Sequence, residues 1–264
     1  GLCNAVLRRV SESQPNPPSR AVELSYPDWI LETLTADLGE ADAIEALEAM
    51  NRPATAVARE DGYHQDRASQ LVSEVVADGL ADGARVADLC AAPGGKATAV
   101  ASTGAVVVAA DLRQRRLNLV RSNAVDLGLE MGLVVADARR PPLRLGSFDR
   151  VLVDAPCSGL GVLRRRADSR WRVKPDDVAE LADLQLDLLI AALPLVAAGG
   201  QLVYSVCTLT AAETTGVDER FREATGAVPA DPLPAPWRAH GTGGMLLPQD
   251  LDAEGMAVFR YAVA

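Results

Sequence analysis

The stretch Val86-Ala-Asp-Leu-Cys-Ala-Ala-Pro-Gly-Gly-Lys96 decides how this chain is read. A short apolar run over 86–90 is the pattern of a strand buried in a sheet. It gives way to a loop with two successive glycines, and a helix is expected to start at Gly95 and run to Ser102. A strand that ends in a glycine loop and opens a helix is how α/β folds offer backbone to a ligand at one edge of the sheet. Downstream, 105–110 is a continuous apolar strand and 113–127 a helix closed at Gly128, followed by strands over 133–136 and 148–153. A long helix is predicted over 176–198, entered after Pro175 and stopped by Gly199-Gly200, then a strand over 201–205, a helix over 212–223 and a last strand over 256–263. Upstream, Ala68, Leu71, Val72, Val75, Val76 and Leu80 recur at helical spacing, so 66–80 reads as a helix with one buried face, ended by Asp82-Gly83. Trp29, Ile30, Leu34 and Leu38 mark an earlier amphipathic helix and 43–50 another. Residues 13–18 read as a polar, proline-containing linker and 53–65 as irregular. Regular alternation of strand and helix implies an α/β fold, a doubly wound Rossmann-like sheet with helices on both faces, preceded by a small helical segment.

Composition narrows the classes of function. Hydrophobic residues make up 48% of the 264 and aromatics only 4%, so the expected core is large and aliphatic. No apolar run is long enough to span a bilayer and no signal-peptide pattern opens the chain, so no membrane partner and a cytoplasmic location are expected. Gly1 rather than Met stands first, so the chain reads as processed or as a piece of something longer. The cysteines, 3, 90, 157 and 207, form no C-x-x-C pair, and the histidines are only His64 and His240. No metal site is expected, nor a disulfide framework; the thiols read as reduced and free for chemistry. The net charge is −10, yet it is segregated. Residues 22–82 hold 14 acidic and 3 basic side chains, whereas 139–174 hold 10 basic and 3 acidic. That basic run surrounds Cys157 and predicts contact with a polyanion there.

In a doubly wound sheet, ligands bind beyond the carboxyl ends of the strands, so the residues just after each strand carry the functional reading. Here they are Cys90-Ala91-Ala92-Pro93-Gly94-Gly95-Lys96, Asp111, Asp137, Asp154-Ala-Pro-Cys-Ser-Gly159 and Val206-Cys207-Thr208. The first loop lacks the G-x-G-x-x-G dinucleotide pattern, and Ala97 stands where a P-loop needs Ser or Thr, so a phosphate ligand is disfavoured. A zwitterionic amino-acid tail suits it better, with backbone amides facing the carboxylate. Asp111 is placed to accept from ribose hydroxyls and Asp137 from an adenine amino group, which together describe S-adenosylmethionine. Each aspartate alone is equally a cap or turn residue; the set at successive strand ends is harder to explain that way. Cys157 shares a loop with Asp154, and Cys207 follows the next strand. A thiolate is a natural nucleophile for C6 of a pyrimidine, because it is soft and leaves again. A neighbouring carboxyl with raised pKa in a dry pocket, Asp154, would protonate N3. On these grounds either cysteine can be the nucleophile.

Asp88-Leu-Cys-Ala-Ala-Pro-Gly-Gly-Lys96, Asp154-Ala-Pro-Cys-Ser-Gly-Leu-Gly161 and Tyr204-Ser-Val-Cys-Thr-Leu209 resemble the RNA cytosine-C5 methyltransferases of the RsmB (Fmu/Sun) family. Gln65-Asp-Arg-Ala-Ser-Gln-Leu71, Arg165-Arg166 with Trp171-Arg172, Leu184-Gln185 and Leu246-Leu247-Pro248 extend the resemblance from about residue 62 to the end of the chain. It implies a class I S-adenosylmethionine methyltransferase acting on small-subunit (16S) ribosomal RNA. Cys90 to Lys96, Asp111, Asp137 and Asp154 would hold the cofactor. Cys207 would be the nucleophile bonded to C6, Cys157 would assist product release, and Arg164, Arg165, Arg166 and Arg172 would contact RNA. Asn4-Ala-Val-Leu-Arg-Arg9 resembles the end of the family's NusB-like helical domain, and Tyr26-Pro-Asp-Trp29 the segment after it. Residues 1–65 are thus expected to be a remnant of NusB-like and linker regions, and 66–264 the catalytic methyltransferase domain, with a monomer expected. Three features depart from the family. Most of the NusB-like domain is absent before Gly1; about a dozen residues stand between Asn51-Arg-Pro53 and Gln65-Asp66 in place of a substantial insertion; and the usual Thr-Cys-Ser around the nucleophile reads Val206-Cys207-Thr208, while the acid-amide pair expected downstream reads Glu213-Thr214. They leave open a second reading, a cofactor-binding but catalytically weak RNA-binding protein of ribosome assembly. The net acidity alone favours a third, a methyltransferase acting on a small molecule or protein.

Overall fold

A computed structural model describes residues 1–12, 16–54 and 57–264. Residues 13–15 of the expected linker and 55–56 of the expected irregular stretch lie outside the described residues. Four helices open the chain: α1 (Leu2–Glu12), α2 (Arg20–Glu23), α3 (Asp28–Leu38) and α4 (Glu40–Met50). The expected irregular stretch instead contains a small antiparallel hairpin of β1 (Val57–Ala58) and β2 (His64–Gln65). Next come α5 (Arg67–Ala77), β3 (Arg85–Asp88), α6 (Gly95–Ala101), β4 (Val106–Asp111), α7 (Gln114–Asp126), β5 (Gly132–Val135) and β6 (Phe148–Asp154). A 3-10 turn (Ala167–Trp171), α8 (Pro175–Ala192), β7 (Val196–Val206), α9 (Thr215–Thr225), β8 (Val228–Pro229), β9 (Arg238–His240), β10 (Gly243–Leu246), α10 (Pro248–Leu251) and β11 (Met256–Ala262) complete it.

Several boundaries differ from expectation, three of the helix ends for a clear local reason. Helix α5 stops at Ala77 rather than 80, because Gly79 takes a left-handed φ of +67° and turns the chain before Leu80. Helix α8 ends at Ala192, not 198: Pro194 sits in a 3-10 turn (Leu193–Leu195), and the chain is already strand at Val196. Gly199-Gly200 therefore lies inside β7, where a Cβ on Gly200 would come within 2.9 Å of the Asp149 carbonyl of β6. Helix α9 starts at Thr215 rather than 212, after a 3-10 turn over Ala211–Glu213.

Nine of the described strands form one sheet in the order β5-β4-β3-β6-β7-β11-β10-β9, with β8 paired to β11. Strands β3 to β7 are mutually parallel; β11 runs antiparallel to β7, and β10 to β11. Alternate residues serve opposite faces, as the pleat requires. Ala87, Leu89, Val151, Val153, Leu202, Tyr204 and Phe259 pack with residues of α3, α4, α8 and α9. Val86, Val107, Ala109, Leu152, Val203 and Val258 pack with α5, α6 and α7. Ile30 and Leu34 of α3 and Ala46 and Leu47 of α4 are fully buried in the first of these cores, so those helices share the sheet's own core. Chain order reverses between β3 and β6, and a reversal of this kind opens a crevice beyond the strands' carboxyl ends. No helix among the described residues is long and apolar enough to cross a membrane.

Candidate active site

The crevice between β3 and β6 is bridged by one ion pair. Lys96, from the first turn of α6, places Nζ 2.7 Å from Oδ2 of Asp154 at the end of β6. Burial alone would pull the Lys96 ammonium down, but Asp154 beside it outweighs this and holds it above its ordinary value. Oδ1 of Asp154 accepts from the Ser205 hydroxyl at 2.6 Å. Two donors on its two oxygens are the surroundings of a carboxylate. Burial raises the proton affinity of a neighbouring carboxyl, Asp88. It lies buried at the end of β3 and is pushed up to about 7, first by desolvation and then by Asp154. Its Oδ1 accepts from the Cys90 amide at 3.2 Å, while Oδ2 is buried without a partner. Sequence reading assigned Asp88 no role, although an acid within an apolar strand was the available signal.

The glycine loop is shaped as its sequence requires. Gly94 takes φ +111°, and a Cβ there would sit 3.0 Å from the Val120 Cα of α7, so only glycine fits without displacement. The Ala91 amide donates to Ala110 and the Ala92 carbonyl accepts from Arg116, which ties the loop to β4 and α7. Pro93 is exposed, and its carbonyl accepts from Asn123. The hairpin β1–β2 covers the other side: the Arg59 guanidinium donates to the Gly95 carbonyl at 2.6 Å and lies over the Tyr63 ring. The Cys90 thiol is pushed far up by burial and then by Asp88, so it stays a neutral packing group. Asp111, buried at the end of β4, accepts from the Arg113 amide at 2.9 Å and the Ala92 amide at 3.4 Å.

Cys157 and Cys207 meet, with their sulfurs 3.2 Å apart and both thiols free. Hydrogen bonding with Cys207 and burial push the Cys157 thiol well up, so Cys157 keeps its proton beside its neighbour. What joins the two loops is Glu213, fully buried and assigned no role by the sequence reading. Its Oε1 accepts from the Ser158 amide at 2.8 Å and from Gln185 at 3.1 Å; its Oε2 accepts from Thr208 at 3.1 Å and Thr210 at 3.0 Å, with the Ser158 hydroxyl also in contact. Ser158 follows Cys157 and Thr208 follows Cys207, so one carboxylate fixes both thiol-bearing turns. Gly161 supplies the close approach: its amide donates to the Cys207 carbonyl, and a Cβ there would clash with the Gly255 carbonyl at 2.3 Å.

Two sets of residues fall elsewhere. Asp137 is partly exposed and bound by Arg139 at 2.7 Å, on an open groove of about 640 Å³ lined by Asp137, Arg139, Arg140, Asp187, Ile190 and Ala191. Neither thiol nor any residue of the Cys90–Lys96 loop lines that groove. Arg164, expected to contact RNA, points inward. Its side chain is 1% exposed and donates to the Pro53, Asp252 and Ala253 carbonyls and to the Asp252 carboxylate. It is an internal tie, not a free cation. Arg165 pairs with Glu254, Arg166 is exposed, and exposed Arg172 pairs with Asp168. Among the described residues no cluster of side chains could hold a metal ion.

Strand order, the glycine loop at the switch point and acids at successive strand ends define a Rossmann-like α/β fold. A family model described as 16S rRNA methyltransferase RsmB/F matches residues 77–258, and the chain belongs to that family. It is 34% identical to the ribosomal RNA small subunit methyltransferase B of Thermus thermophilus over 99% of this chain and 70% of that protein. It is 45% identical to the putative methyltransferase Rv1407 of Mycobacterium tuberculosis over 64% of this chain and 38% of that protein, so the matched region is well under half of that relative. Among solved structures, a methyltransferase homolog from Pyrococcus horikoshii superposes with TM-score 0.77 over 96% of this chain and all of that one, at 21% identity, a likeness of fold. NSun6 from the same organism, solved with SFG, gives 0.66 over 76% of this chain and 52% of that one at 25% identity.

Proposed function

We propose that this chain transfers a methyl group from S-adenosylmethionine to C5 of a cytosine in 16S ribosomal RNA, through a covalent bond between Cys207 and C6. The observation that carries this reading is the pair of thiols 3.2 Å apart at the ends of adjacent parallel strands, next to the Lys96–Asp154 pair. The residues fit the cofactor at the Asp88 Oδ2 atom, buried and unpartnered, as an acceptor for an ammonium; at the Gly94-Gly95 backbone for a carboxylate; and at Asp111 for ribose hydroxyls. Asp137 would reach an adenine amino group after releasing Arg139. When bound, the cofactor supplies an electrophilic methyl group.

The chain's own part is to make the base nucleophilic and to let it go. Cys207 is the attacking thiol, with the Lys96 ammonium and the Arg165 guanidinium near enough for its charge to act on both. Asp154 is held by Lys96 and Ser205, and in this reading the pair would provide the proton or hydrogen bond at N3 that the C6 adduct needs. In the last step water takes the C5 proton, the C5–C6 double bond re-forms and Cys207 leaves C6 as a thiolate, to which Cys157, protonated and in contact with the Cys207 sulfur, donates a hydrogen bond. Arg165, Arg166 and Arg172 provide cations for the RNA backbone. The test is transfer of labelled methyl groups to 16S ribosomal RNA. Cys207→Ala should abolish it, and Cys157→Ala should accumulate a protein–RNA adduct that survives denaturing electrophoresis. Methylation at the normal rate by the Cys207→Ala protein would end this reading.

A further inference from the structure

The segment from Arg164 to Lys174 alternates in direction. Arg164 and Arg170 turn inward. Arg164 binds backbone carbonyls as described, and the Arg170 guanidinium lies 4.0 Å from the Tyr26 ring centre and donates to the Ser25 carbonyl and Asn51 Oδ1, both at 2.9 Å. These two pins hold the 3-10 turn against the helical N-terminal segment, which fixes where its other side chains point. Arg165, Arg166, Trp171 and Arg172 face solvent from it. Trp171 is 62% exposed, whereas Trp237 is buried and Trp29 packs against the core. A large apolar ring held in water on a rigid turn forgoes substantial burial energy. Asp168, the only acid on the turn, pairs with Arg172, and Glu254 pairs with Arg165, so among the described residues Arg166 is the exposed arginine of this segment outside an ion pair. The turn also leads directly from the thiols: Gly161, four residues before Arg165, is bonded to the Cys207 carbonyl.

Resting on the RNA-methylation reading, we infer that Trp171 is a stacking platform for an unpaired base next to the target cytosine, with Arg166 on a flanking phosphate. A flat aromatic among arginines suits single-stranded nucleic acid: every base has a face to stack, and the guanidinium groups track the backbone. A duplex offers no free base face, so the inference also requires discrimination against paired RNA.

The experiment titrates the chain with a dye-labelled single-stranded RNA oligonucleotide containing cytosine, following both dye anisotropy and tryptophan emission. Quenching of Trp171 should rise in step with anisotropy, and a duplex of equal length should give none. Trp171→Ala should weaken binding about tenfold, and Trp171→Phe should recover most of the loss. The melting temperature should stay put in both, because the ring is exposed. If RNA binds the wild type and Trp171→Ala binds equally well, the platform is overturned while the RNA reading stands. If the wild type gives no anisotropy change, the RNA reading itself has failed. If Trp171 in the free chain is already shielded from acrylamide in a concentration-dependent way, a second copy covers it and the inference falls.

Discussion

The two halves of the crevice are built on opposite principles. Beyond β6 and β7, where the thiols sit, nearly every polar group near them is paired: Glu213 collects Ser158, Thr208, Thr210 and Gln185, and the Gln185 amide also donates to the Pro156 carbonyl. Beyond β3, β4 and β5 the acids are held by few and local partners. Asp88 has an orphan oxygen, Asp111 is held chiefly by backbone amides, and Asp137 is tied only to an exposed arginine. The lesson is a division of labour. A half that must hold two sulfurs in fixed relation is satisfied internally and rigid, whereas a half that must receive a polar ligand keeps its hydrogen-bonding capacity unspent.

The largest effect should follow from breaking the satisfied half. Glu213→Ala strands several buried donors at once and should cost about 4 kcal/mol of stability, measured by urea denaturation. Glu213→Gln keeps the volume and one acceptor oxygen, so it should fold. It should lower kcat through misplaced thiols while leaving KM for the methyl donor nearly unchanged. An equal rise in that KM would mean that Glu213 serves the ligand half, and the contrast between the halves would dissolve.

The opposite outcome is expected in the unsatisfied half. Folding raises the Asp88 carboxyl from 3.8 to about 7, so the folded chain keeps a proton there that the unfolded chain releases. The stability tied to that proton is complete below pH 4 and is lost as pH rises through 7. Asp88→Asn abolishes the dependence. The variant should therefore gain on the wild type from pH 4 to pH 8, by no more than ~3 kcal/mol once the site relaxes. It should also bind the methyl donor about tenfold more weakly, because a charge-assisted contact is gone. A substitution that stabilises the protein while disabling it marks a group kept for a ligand. A flat difference between the two melting curves across that pH range would sink the assignment.

Much of this contrast was absent from the sequence for physical reasons. The sheet was legible because strands buried on both faces are unbroken apolar runs, such as 105–110, and because each is followed by a helical period. The end of α8 was misplaced because Gly199-Gly200 looks like a stop, while Pro194 had already made one. Strands β8, β9 and β10 have two to four residues each and exist only through pairing with β11 and one another, which no local pattern announces. The cysteines and aspartates were legible as strand-end residues. Glu213 was not, since the burial of an acid depends on donors from a loop 55 positions away and from helix α8 28 positions away. The arginine run showed its charge but not its direction, so Arg164 and Arg170 counted as free cations until their carbonyl partners appeared.

The smallest effect sharpens the comparison most. Asp137 forms a surface pair with Arg139, and such pairs add little to stability because water and salt screen them. Arg139 also draws the Asp137 carboxyl below its ordinary value, chiefly by hydrogen bonding, so the group is charged at any working pH. Asp137→Ala should leave the melting temperature unchanged. If Asp137 instead trades Arg139 for an adenine amino group, the variant should bind S-adenosylmethionine severalfold more weakly, while binding of methionine alone should not change. Calorimetric titration with each separates the cases. Equal affinity for the full cofactor would make Asp137 a surface residue and confine the ligand half of the crevice to Asp88, Asp111 and the glycine loop.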